Sequence, residues 1–160
     1  TLGYQEGVSM GGDFPSIIEN AVPDFLFWAM KAADGAPLQR VQIIKGWRED
    51  DGSHEATYDV VCSDGFNPDP VSHRCPDNGA DVDLKTCALS NAQGAVELKG
   101  RWRDPNFDPT YPAFYYIRVL ENPSCRWSTW EALKEGKPLF DDVVPTIQER
   151  AWSSPIWYSP

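Results

Sequence analysis

Two histidines are the first candidates for chemistry, and they stand apart. His54 follows an acidic turn and His73 lies in a proline-rich stretch, 19 positions away. Nucleophilic catalysis needs a Ser, Cys or Thr beside a base that a third group orients. A catalytic zinc needs about three protein ligands and an open position. Neither an H-x-x-x-H nor an H-E-x-x-H spacing is present, so both histidines are read as surface residues. No catalytic residue and no metal ligand is assigned. The acids of Asp77-Asn78-Gly79-Ala80-Asp81-Val82-Asp83 offer oxygens of the kind calcium uses, without EF-hand spacing; Asp-Asn-Gly is first of all a turn. Gly11-Gly12 lacks both G-x-G-x-x-G and a terminal Lys-Ser/Thr, which leaves a tight turn into Asp13 and no phosphate loop.

Seven tryptophans are the unusual feature, and several adjoin arginine. Arg126-Trp127 and Arg150 near Trp152 are the candidate ligand-binding residues, as a stacking platform for a sugar or another small molecule. The competing and preferred reading makes the tryptophans core residues with guanidinium groups against their faces. It expects Trp152 and Trp157 to be buried, with Arg150 held on an aromatic face or a carboxylate.

The elements that must position these residues are short β runs between turn clusters. Phe25 to Met30 is apolar enough for burial on both faces. Arg40 to Trp47 alternates, with Val41, Ile43 and Lys45 opposite Gln42 and Ile44. Asp50-Asp51-Gly52-Ser53 then turns into Glu55 to Cys62, a hairpin. Val82 to Cys87, Val96 to Arg103, Ala113 to Glu121 and a tail from Ile147 to Tyr158 are further strands. A single helix is expected, capped by Ser128 with Glu131 three positions on and closed by Gly136. The expected fold is all-β, mainly antiparallel and sandwich-like, with one short helix and long Pro/Gly-rich loops, in one domain over residues 1–160.

Cys62, Cys75, Cys87 and Cys125 form no C-x-x-C pair and read as two disulfides of an oxidising compartment. If Val96–Arg103 and Ala113–Glu121 are adjacent antiparallel strands, the chain before the first and after the second emerges on one side. That brings Cys87 to Cys125 and leaves Cys62 to close on Cys75.

Composition is that of an ordinary globular chain, 41% hydrophobic and 24% charged. A net charge of −10 repels phosphate backbones and anionic lipid, so neither nucleic acid nor membrane is an expected partner. There is no initiating Met and no signal sequence at Thr1 to Asp13, and the chain is expected to start downstream of its gene's start.

Three segments carry a resemblance: Tyr115-Tyr116-Ile117-Arg118-Val119-Leu120-Glu121, Cys125-Arg126-Trp127-Ser128-Thr129, and Gln148-Glu149-Arg150-Ala151-Trp152-Ser153-Ser154-Pro155-Ile156-Trp157-Tyr158. Together with Val8 to Asp13, Val41 to Trp47 and Asp104 to Pro109, they resemble a large group of exported bacterial proteins of unknown function. Members resemble PHP-type metallohydrolases (polymerase and histidinol phosphatase-like) in their N-terminal part, whose metal-binding motifs are absent from this sequence. The resemblance implies a non-catalytic C-terminal accessory domain in a periplasmic or secreted protein, with no cofactor of its own. The implied partner is the N-terminal metal-binding domain. Loss of a preceding strand would leave an open sheet edge, through which a homodimer could also form. Asn106 stands where many relatives have an acid, which argues against a metal role for its loop.

Overall fold

Asp50-Asp51 folds the chain back between two long alternating runs, β2 (Leu38–Glu49) and β3 (Gly52–Cys62), with Glu49 opposite Gly52 and Ile43 opposite Tyr58. The register slips at Val41/Gln42, a bulge that puts one extra residue into β3. The computed structural model describes residues 7–14, 22–89, 92–139 and 141–160. Its spine is β7 (Ala113–Cys125), which pairs with β2 along one edge, Ile117 opposite Ile43. On its other edge lie β8 (Thr146–Trp152) and β9 (Ile156–Tyr158) in succession. The tail is thus two strands, because Ser153 leaves the ladder. Its hydroxyl accepts the Ile117 N–H at 2.9 Å while its own N–H donates to the Ile117 carbonyl at 3.0 Å.

A second layer is a two-stranded antiparallel ribbon of β1 (Asp24–Met30) and β6 (Glu97–Arg103). Phe25, Phe27 and Leu98 of the ribbon pack with Val41, Ile43 and Tyr115 of the sheet. The layers meet closely at Gly100, where a Cβ would lie 2.9 Å from both the Phe27 ring and Val61. The fold is the sandwich-like, mainly antiparallel all-β arrangement expected. Two expectations about this ribbon fail. β1 is buried on one face only, leaving Leu26, Trp28 and Met30 exposed. β6 and β7 are not neighbours, for the loop 104–112 crosses from one layer to the other.

The disulfides Cys62–Cys75 and Cys87–Cys125 nevertheless form as expected. The second closes a small cluster of Val82, Leu89 and Leu133 beside the end of β7. Val82 to Cys87 is not one strand. Asp83 accepts the Lys85 N–H and the Thr86 hydroxyl, turning the chain between β4 (Val82–Asp83) and β5 (Ala88–Leu89). The helix α1 (Trp127–Glu135) starts two residues earlier than its sequence suggests, with Arg126 at the N-cap and no side-chain cap. Ser128 is buried within the first turn. Gly136 ends the helix as expected, in the left-handed conformation at φ 63°.

Candidate functional site

A buried ion pair lies where the sheet meets the crossing loop. Lys45, on the core face of β2, donates to Asp104 Oδ2 at 2.7 Å and to the Asn106 carbonyl at 2.7 Å. Their side chains are 5% and 0% exposed. Tyr115 donates to the same carboxylate oxygen at 2.7 Å, and the Asn106 N–H reaches Oδ1 at 2.9 Å. Burial first, then the Asp104 hydrogen bond and charge, pushes the Tyr115 phenol far above its usual range. The carboxylate is satisfied on both oxygens and sealed from solvent, which suits fixing the loop and not meeting a substrate.

Beside the ribbon the second layer runs out. β1 pairs only with β6 among the described residues, and its other edge overlooks an apolar trough of about 440 Å³. Phe27 and Ala29 form one wall, Ile117 and Val119 the floor, and Ala151 and Trp152 the far side. Among the described residues a five-stranded sheet is thus covered by two strands, and Val8, Ser9 and Met10 also border the trough.

Three of the four residues proposed from sequence as ligand-binding come together. Arg126, Arg150 and Trp152 line one hollow of about 360 Å³ with Gln148 and Glu149. Neither guanidinium forms an ion pair with a described carboxylate; Arg126 donates to the Thr146 carbonyl at 3.2 Å. Trp127 stands outside the lining, exposed on α1. The expectation of buried tail tryptophans is overturned: Trp152 is 60% and Trp157 47% exposed, and Arg150 is exposed. The anchor of the tail is Tyr158, 4% exposed, whose hydroxyl donates to the Pro109 carbonyl at 2.8 Å. Strand alternation explains the exchange: Trp152 pairs with Arg118 on the face away from the ribbon, so its ring has no layer to enter.

The acidic stretch after Cys75 behaves as turns. Asp77, Asn78, Asp81 and Asp83 each accept a backbone N–H within three residues of themselves. His73 lies against Tyr58 at 5.1 Å. His54 belongs to a cluster that sequence spacing did not reveal. One ligand atom each from Glu49, Asp51 and His54 lies within 4.8 Å of the others, with His54 Nε2 3.2 Å from Asp51 Oδ1.

The whole chain, residues 1–160, matches one protein family. It belongs to the family described as protein of unknown function DUF3604. No curated protein matches it, and no solved structure does. In this DUF3604 chain two disulfides are present, and no helix among the described residues is long and apolar enough to cross a membrane.

The trough and the His54 cluster are what sequence reasoning missed in the DUF3604 chain. A signal for the cluster existed: Asp51 lies in the two-residue hairpin turn that Glu49 and His54 flank, and the cross-strand register Trp47↔His54 folds them together. For the trough, the one sign was the open sheet edge that the resemblance implied.

Proposed function

We propose that this chain is a non-catalytic accessory domain of a larger exported bacterial protein, docking on a metal-dependent, PHP-like hydrolase domain. The observation that carries it is the apolar trough beside the edge of β1 that no described strand pairs. An extended segment laid there gains backbone hydrogen bonds from β1 and buries alternate side chains against Ile117 and Val119, the mode of strand addition. Exposed Leu26, Trp28 and Met30 extend the apolar surface past the edge, a feature of interaction sites. Two disulfides favour a periplasmic or secreted setting. The occupant we assign is a strand from the polypeptide that precedes this domain in the parent protein.

The test is reconstitution. Co-expressed with that preceding polypeptide, the chain should copurify with it, and acrylamide quenching of Trp28, at the trough's rim, should fall. Ile117→Glu, which charges the trough floor, should abolish the complex. Free components with unchanged quenching would refute the docking reading. The isolated chain should hydrolyse no phosphate ester, amide or glycoside; turnover lost on substituting one of its residues would refute the non-catalytic assignment. A second reading, a small-ligand or carbohydrate module, is favoured by the hollow of Arg126, Arg150 and Trp152. It predicts that Trp152 fluorescence responds to an anionic sugar and that Arg150→Ala removes the response.

A further inference from the structure

The tip of the β2–β3 hairpin combines three features that a surface turn does not require. Its ligand atoms converge, with those of Glu49, Asp51 and His54 within 4.8 Å of one another. Two of the three side chains are held by a single indole. Trp47 Nε1 donates to Glu49 Oε1 at 2.7 Å, and the Trp47 ring stacks on the His54 imidazole at 5.3 Å with 21° between planes. That indole is itself seated, packed against the main core and with the Lys45 ammonium 5.0 Å from its ring. A brace of this kind fixes ring orientation and carboxylate position before any ion arrives, the role that outer-shell partners play around metal ligands.

The surroundings are anionic. The Tyr111 phenol is raised by burial and then by the charges of Asp50, Glu49, Asp108 and Asp51. Fixed negative charge concentrated at one tip of a chain of net charge −10 attracts a cation. Ligand chemistry narrows the class. One imidazole nitrogen with two carboxylate oxygens suits zinc and its neighbours among the late first-row metals, whereas calcium and magnesium take all-oxygen sets. We propose that Glu49, Asp51 and His54 form a binding site for a divalent transition-metal ion of the zinc class. The set supplies three protein ligands, so water or a group from a docked partner completes the coordination. The site lies apart from the apolar trough and does not depend on what occupies it.

Calorimetric titration of the untagged chain with Zn²⁺ and Ni²⁺, against Ca²⁺ and Mg²⁺, decides it. One equivalent of Zn²⁺ or Ni²⁺ should bind, with no comparable heat from Ca²⁺ or Mg²⁺. His54→Ala should abolish binding, while His73→Ala leaves it unchanged. Trp47→Phe, which retains a stacking ring but loses the indole N–H, should weaken it about 10-fold or more. His54 is exposed enough that His54→Ala should melt with the parent when no metal is added, and a melt of every variant accompanies its titration. As a second readout, Co²⁺ should broaden amide resonances of residues 47–55 selectively. Binding that survives His54→Ala, binding lost in His73→Ala, or no Zn²⁺ binding below millimolar concentration overturns the assignment.

Discussion

Asp104→Asn removes the negative partner of a largely buried charge. Lys45 is 5% exposed, and besides Asp104 its ammonium has the Asn106 carbonyl at 2.7 Å and the faces of Trp47 and Tyr115, none of them a countercharge. Breaking a buried pair from one side costs about 3–5 kcal/mol, since the remaining charge stays desolvated. Tyr115 also loses a charged acceptor at 2.7 Å, replaced by a weaker amide oxygen. A chain of this size loses roughly 2–4 °C of melting temperature per kcal/mol, so Asp104→Asn should melt on the order of 10 °C lower. The double variant Lys45→Met with Asp104→Asn tests the cause. It removes both charges and should recover most of the loss, because buried pairs exchange for apolar groups at little net cost. The assay is calorimetric melting near pH 7 with both disulfides intact. If Asp104→Asn melts with the parent, or the double variant is worse than the single one, the account of an isolated buried charge is wrong.

The two disulfides should differ in worth. Closing 38 residues with Cys87–Cys125 stabilises by about 4 kcal/mol in the chain-entropy model, and closing 13 with Cys62–Cys75 by about 3; urea titration of Cys-to-Ser pairs in which the shorter loop costs clearly more would contradict this. Tyr158→Ala should cost about 3–5 kcal/mol as a buried aromatic truncation, with Trp152→Ala and Trp157→Ala well below it; equal losses would mean the tail is not anchored at Tyr158. Burial, ahead of its other contacts, raises the Glu121 carboxyl. Its folded form therefore prefers the proton, and stability falls as pH climbs from the ordinary carboxylate range through the raised value. Glu121→Gln should raise the melting temperature near pH 7 and lose that advantage near pH 4; an equal gain at both would place the effect elsewhere.

Much of the architecture was written locally. Alternation about Asp50-Asp51-Gly52 specified the hairpin, and Gly136 marked where the helix stops. The strand order was not, because a nine-residue link between β6 and β7 serves a hairpin or a crossover equally. What decides between them is β1, some seventy residues upstream, which takes the edge of β6. The correct disulfide pairing thus followed from an incorrect neighbour relation. Tryptophan burial failed for a related reason: size and apolarity argue for the interior, but only the layer order says which face of β8 has an interior to enter. Arg126, Arg150 and Trp152 share a hollow because β8 returns past the start of α1, a juxtaposition no spacing in the sequence encodes.

The disulfide connectivity also bears on how the chain matures. Each bond joins cysteines that are consecutive in the sequence, Cys62 with Cys75 and Cys87 with Cys125. A polypeptide entering an oxidising compartment N-terminus first presents Cys62 and Cys75 together before Cys87 appears. Oxidation in order of arrival then gives the native pairs directly, and no bond must be broken to reach them. Such a chain has little need of thiol–disulfide reshuffling, and a disulfide oxidase without isomerase activity should suffice to produce it in correctly bridged form.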